Sequence, residues 1–270
     1  MSLSSLEAGW CEQAAAIWWL DPLIATAAFA TFINVFGVLE EQKSPKAAAA
    51  GGATAATAQS SSESVLFWLG LRPLSLITPV AGVAYWIGVY MWVCLIPPPA
   101  ASSGCDFSSS PATCARILAE LIFGVLAYDA IFFAIHVLEH QGPGTLRKGA
   151  HHMVHHGPGK DVRAMHVLQH SLVDGALQVL VNIIVQRNGP FGPKLKVTRW
   201  IHNVIVTYLL TESHARIPTL PLASRFPKTF AGVLHHRRHH ASGGAPYQQF
   251  FGYLDAWLFG WQAPLAAAYA

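Results

Sequence analysis

The sequence is poor in charge: Asp, Glu, Lys and Arg make up 11% of its 270 residues, while apolar residues make up 53%. Soluble globular domains carry roughly 25% charged residues, so this chain is short of charge for a water-facing surface and reads as a membrane protein. A dense Lys/Arg patch with interleaved aromatics is also missing, and a formal charge of +3 is too small to hold a polyanion. Nucleic acid is therefore not expected as a partner. Cysteine is scarce. Cys11, Cys94, Cys105 and Cys114 form no CxxC pair and lie away from the histidines, which makes them poor metal ligands. Cys105 and Cys114 share one short polar loop and read either as a disulfide or as two free thiols. The amino-terminal MSLSSLEAGWCEQAAA has no basic stretch before its apolar run, so a first membrane segment is expected rather than a cleaved signal peptide. No internal repeat of solenoid period is found.

Long apolar runs are abundant. Leu23 to Leu39 is free of charge, and Asp21-Pro22 before it supplies the cap and first-turn proline of a helix start. Residues 44–64 are a low-complexity Ala/Gly/Ser/Thr stretch with little to bury, read as a cytosolic loop. Leu74 to Ile96 is 23 residues without charge, enough to cross the hydrocarbon. Pro97-Pro98-Pro99 stops it, and the loop to Cys114 carries Asp106 and no Lys or Arg. Ile117 to Ile135 then forms a third span that returns to the basic side. Since 13 of the 17 Lys and Arg lie from Arg147 onward, the carboxy-terminal half is expected to face the cytosol. Shorter apolar stretches around Ser171–Gln186 and Trp200–Thr211 fit either two tilted crossings or a hairpin that dips in and returns. The expected fold is all-α: a polytopic membrane bundle of about four spanning helices, or three plus a hairpin, with a cytosolic histidine-rich metal-binding helical cap. Its parts are a transmembrane region 1–116, a histidine-bearing domain 117–262 and a short tail 263–270.

All 14 histidines lie between His136 and His240. His136 and His140 are spaced HxxxH; His152, His155 and His156 are spaced HxxHH; His236, His239 and His240 repeat HxxHH. Positions i, i+3 and i+4 share a helix face, so each group is expected to aim its imidazoles at a single point. Eight imidazoles exceed the four that one tetrahedral site uses, and the surplus implies two metal ions. Neutral imidazoles leave such an ion electron-poor, which with iron suits attack on an unactivated C–H bond. His214, beside Glu212, and His170 end the two short apolar stretches and are further candidate ligands. His151 and His235 read as neighbours of the groups, and His166 and His202 as ordinary core or surface residues. Asp129 lies about two turns before His136 at membrane depth, where a carboxylate is costly and usually serves a site. Asp129 and Glu212 are the candidate catalytic carboxylates. Two competing readings are a zinc peptidase built on HVLEH with Glu139 as base, and a non-catalytic or transporting metal-binding membrane protein.

DAIFFAIHVLEH, HHMVHH, TESHARIP and LHHRRHH followed by APYQQFFGYLDAWLFG, in that order, resemble the boxes of the membrane fatty acid hydroxylase and sterol desaturase superfamily. That superfamily includes sterol C-5 desaturases, sterol C-4 methyl oxidases, cholesterol 25-hydroxylase and sphingoid-base C-4 hydroxylases. The resemblance covers about Tyr128 to Gly260. It implies two Fe ions on the cytosolic face of the endoplasmic reticulum membrane, O2 as oxidant, a lipid substrate entering from the bilayer, a ligand role for His214 and a structural one for Asp255. It also implies electrons from cytochrome b5 with a nicotinamide-dependent reductase. The chain has no HPGG haem box and no GxGxxG after a strand, so that donor would be a separate protein. The sequence departs from the family pattern at Val137, Met153, Ala215, Arg216 and Arg237, with Arg238 adding a second charge. Groups beside ligating imidazoles tune them, so the resemblance speaks more firmly to the metal than to the substrate.

Overall fold

A computed structural model describes residues 20–42, 110–143, 155–156, 162–216, 226 and 229–261. The expected second span, the low-complexity loop and His152 lie outside them. The described residues form helices α1 (Leu20–Gln42), α2 (Pro111–Gln141), α3 (Leu172–Arg187), α4 (Lys196–His214), α5 (Gly232–Ser242) and α6 (Tyr253–Phe259), with a 3₁₀ turn at Ala164–Leu168. Two isolated bridges, Gly189 with Gly192 and Phe230 with Phe251, are the β-structure among them.

Local chemistry sets the boundaries. Ser110 caps α2 by accepting the Thr113 N–H at 3.2 Å, with Pro111 at the first helical position. Ser171 does the same for α3 through the Asp174 N–H at 3.2 Å. The two apolar stretches with the basic link become α3 and α4, a helical hairpin whose tip, Asn188 to Leu195, is pinched where Gly192 adopts φ 99°.

Buried polar contacts fix how the helices lie. At one end, Asp21 of α1 accepts Trp200 Nε1 of α4 at 2.6 Å and pairs with Arg199. At the other, Glu40 accepts the backbone N–H groups of Ala164 at 3.1 Å and Arg216 at 2.8 Å. Glu120 of α2 accepts Arg116 Nε at 2.8 Å and the Leu195 N–H at 3.0 Å. Helices α1, α2 and α4 therefore run in one direction, α3 runs back, and the carboxyl ends of the three parallel helices meet. Ile33, Tyr128, Phe132, Val181, Val206 and Leu210 fill the space between them.

Helix α2 and the Leu23–Glu40 part of α1 are long and apolar enough to cross a membrane. Leu118, Ile122 and Leu126 form an exposed stripe at i, i+4, i+8 along α2, and Leu180 and Ile184 continue the apolar exterior on α3. Water would not tolerate such a belt; lipid does. Exposed Tyr253 and Trp257 on α6 lie close to the histidine-bearing end of α2, where Phe259 meets Phe133, as amphipathic aromatics do at a membrane interface. Cys114 is an exposed free thiol among the described residues; its pairing with Cys105 concerns a residue that lies outside them.

Candidate metal centre

The histidines converge where α1, α2 and α4 end, and they sort into two sets of four. His136, His140, His156 and His239 form one, and His155, His214, His236 and His240 the other, with the ligand atoms of each set within 4.8 Å of one another. The expectation that each HxxHH group aims at a single point is corrected. Successive helical residues are about 100° apart around the axis, so His239 and His240 diverge while His236 and His240 stay about 40° apart. His239 accordingly joins the α2 pair, and His236 and His240 join His214. His155 and His156, in a turn rather than a helix, are also divided between the two sets. The sets are adjacent, with the rings of His156 and His240 stacked at 4.3 Å across them.

Backbone carbonyls orient the rings. Nδ1 of His136 donates to Tyr247 O at 2.8 Å, His155 to Gln169 O at 3.1 Å, His214 to Leu210 O at 2.8 Å and His239 to Gly244 O at 2.8 Å. A carbonyl only accepts, so each Nδ1 carries the proton and each Nε2 keeps its lone pair. In the second set the Nε2 atoms converge: Nε2 of His214 lies 3.0 Å from that of His236 and 3.5 Å from that of His155, and Nε2 of His240 lies 3.1 Å from that of His236. Ring nitrogens gathered on one point are the arrangement a bound cation takes. Nε2 of His239 in the first set is likewise buried without a partner among the described residues. This donor set fits two soft-to-borderline metal ions.

Burial, joined by the charges of neighbouring imidazoles and opposed by the bond to Leu210 O, pushes His214 from 6.5 down to about 3. His236 and His239 are held well below their ordinary value, again by burial first and then by the surrounding imidazoles. All three are thus neutral ligands at physiological pH. The unfolded chain takes up protons near pH 6.5 that the folded chain refuses, so it binds more protons below that pH. Metal-free protein is expected to lose stability progressively as pH falls from about 6.5 towards about 3, with little change above; denaturant midpoints across that range check it.

Gly243 closes α5 at φ 64° and donates its N–H to His239 O at 2.7 Å. This turn brings the Gly244 carbonyl back onto the His239 ring. A branched side chain in that left-handed conformation costs about 1–2 kcal/mol. Gly243→Val is therefore expected to lower both thermal stability and metal retention, measured by melting with and without added metal.

The remaining candidates fall around the two sets. His170 stacks on His155 at 4.9 Å, with its Nδ1 3.1 Å from Asp174 Oδ2 and its Nε2 2.5 Å from Val167 O. His155, His170 and Asp174 form a third cluster that shares His155 with the second set. Asp129 is fully buried outside the sets; it accepts Gln248 Nε2 at 2.6 Å and the N–H groups of Gln249 at 3.2 Å and Phe250 at 2.8 Å. Asp255 accepts the N–H groups of Tyr247 at 2.7 Å and Gln248 at 2.6 Å. Together the two carboxylates hold the segment whose Tyr247 carbonyl orients His136. Glu212 is buried on the last turn of α4, outside both sets. His235 is buried 3.5 Å from Asp255 Oδ2, His166 accepts the Arg163 N–H at 3.1 Å, and His202 is buried towards the hairpin tip. Glu139 is buried outside both sets, whereas His136 and His140 sit in an all-imidazole one. Each set holds four imidazoles and so leaves no open position for the zinc-bound water that the HVLEH peptidase would need.

A cavity runs from this centre between the helices. Gly175, Gln178, Val179 and Asn182 of α3 and Asn203, Val206, Thr207 and Leu210 of α4 line it at i, i+3, i+4, i+7, with Phe29 and Tyr128 closing it and His170 at the metal end.

Among the described residues, a helical architecture with two candidate membrane helices and two adjacent four-imidazole sets is consistent with a two-metal membrane enzyme. The family model Fatty acid hydroxylase matches residues 121–260, just over half of the sequence, and the chain belongs to that family of di-iron oxidoreductases. No curated protein and no solved structure matches the chain.

Proposed function

We propose that the protein is an integral membrane oxidase that hydroxylates or desaturates a lipid with O2 at two iron ions. The observation that carries this reading is the pair of adjacent four-imidazole sets, one of them opening through His170 towards a largely apolar cavity between lipid-exposed helices. His136, His140, His156 and His239 would hold one ion and His155, His214, His236 and His240 the other. When bound, the ions supply activation of O2 for oxidation of an unactivated C–H bond.

The chain's own groups fix the rest. The carbonyls of Tyr247, Gln169, Leu210 and Gly244 fix the tautomer of four imidazoles and aim their Nε2 atoms, while Phe29, Tyr128, Val206 and Leu210 exclude water from the lipid. Hydroxylation consumes O2, two electrons and two protons and releases water, so a reductant must dock from outside. Cytochrome b5 with a nicotinamide-dependent reductase fills that role in this reading, because the sequence carries neither a haem box nor a dinucleotide fingerprint. The basic carboxy-terminal half supports a cytosolic position for the centre, with the endoplasmic reticulum as the membrane.

Untargeted lipid profiling of cells with and without the protein tests the proposal. One lipid class should gain a hydroxyl or a double bond, dependent on oxygen and lost on chelation of iron. An unchanged lipid profile under adequate oxygen and reductant supply would count against it.

A further inference from the structure

Helix α1 carries none of the eight imidazoles of the two sets, yet its carboxyl end is built against the second set. Phe36 forms a small apolar cluster with Ala164 and Ala215, both of which are fully buried. One turn later a single atom of Glu40, Oε1, accepts the N–H of Ala164 at 3.1 Å and that of Arg216 at 2.8 Å. The end of α1 therefore engages the same two segments twice, once by packing and once by hydrogen bonds. Arg163 and Arg216 stand close enough for their charges to act on the buried carboxylate, which offsets the cost of taking it out of water.

Each of those segments serves a histidine of the second set. Arg216 lies two residues after His214, which ends α4. Ala164 opens the 3₁₀ turn Ala164–Leu168, and the next residue, Gln169, supplies the carbonyl that accepts from Nδ1 of His155 at 3.1 Å. A buried backbone N–H needs an acceptor, and an ionised carboxylate makes a stronger hydrogen bond than a neutral oxygen does. With both N–H groups on one oxygen, that atom ties the 3₁₀ turn to the end of α4. The tie bears on how closely His155 approaches His214, whose Nε2 atoms lie 3.5 Å apart. The first set is served by other carboxylates: Asp129 and Asp255 hold the segment whose Tyr247 carbonyl orients His136.

We propose that Glu40 is a positioning residue for the second metal ion: from α1 it locks the 3₁₀ turn to the end of α4 and so holds His155 and His214 at the separation one ion requires. It acts through those two segments and not on the ion itself. That an ion lies there rests on the two-metal reading above.

Chelator competition for ferrous iron in the loaded full-length protein, under anaerobic conditions in detergent, tests this. His136→Ala and His155→Ala mark which ion each release step reports. Glu40→Ala should weaken the second-set ion about 10 to 100-fold, the loss that follows removal of a group supporting a ligand, and leave the first-set step unchanged. Glu40→Gln keeps a carbonyl oxygen at that place and should recover most of the loss. A residue that only held the fold together would weaken both ions alike. Equal weakening of both ions, an unchanged second-set step, or no recovery in Glu40→Gln overturns the proposal. If Glu40→Ala does not fold, Glu40→Asp, which keeps the charge and draws the oxygen back, should show the same selective loss, and equal weakening or no change there overturns the proposal likewise. Native protein that releases fewer than two ions defeats the two-metal reading and this inference with it. Two ions released by native protein, with no selective effect of changing Glu40, defeats this inference alone.

Discussion

His155→Ala is expected to abolish oxygen-dependent turnover and to release one of the two metal ions, while the chain still inserts and folds. His155 supplies one of four imidazoles to the second set, where its Nε2 faces that of His214 at 3.5 Å. Its removal leaves three donors there and leaves the first set intact. Loss of a group that only orients a ligand costs about 10 to 100-fold in affinity or activity, and loss of the ligand itself costs more. His155 also stacks on His170, so the variant disconnects the cavity end from the ion. Metal content per chain, membrane fractionation and oxygen consumption with lipid separate these effects. Full activity in a lipid oxidation assay would show the assignment of His155 to be wrong.

Asp129→Ala is expected to damage the fold and the metal centre together. Its carboxylate receives three donors, two of them backbone N–H groups of Gln249 and Phe250. Each buried donor stranded without an acceptor costs about 1–3 kcal/mol, so the variant should lose several kcal/mol of stability. The same segment carries the Tyr247 carbonyl that fixes His136, so metal affinity of the first set should fall as well. Asp129→Asn retains one carbonyl acceptor and should recover part of both losses. A residue that acted only on substrate would lower turnover at constant metal content and constant melting temperature. Asp129 is thus tested as a positioning residue by the coupling of those readouts.

Much of this was legible in the sequence. Charge-free runs such as Leu23 to Leu39 marked apolar helices because backbone and side chains alike must be satisfied without water. The HxxxH and HxxHH spacings marked the metal-binding histidines, because ligand geometry leaves few other reasons for such clustering. The division of each HxxHH group between two sets was not read, although the 100° step between His239 and His240 contains it; counting residues per face hides the angle between neighbours. The carbonyls of Tyr247, Gln169, Leu210 and Gly244 were not legible at all, since any residue provides a carbonyl and only the tertiary fold decides where it points. Glu40 escaped notice for a related reason. The N–H groups of Ala164 and Arg216 are 124 and 176 residues away from it, and only the packing of α1 brings them to its carboxylate. Asp129 was read as a candidate catalytic carboxylate from its cost at membrane depth, and the backbone groups it accepts from were invisible from spacing alone.

Metal analysis of the purified full-length protein, combined with oxygen consumption in the presence of reductant and lipid, tests the central claim most directly. Two irons per chain, with oxygen uptake coupled to lipid oxidation and lost when the iron is removed, is the predicted result. A single zinc per chain with no response to oxygen would contradict it.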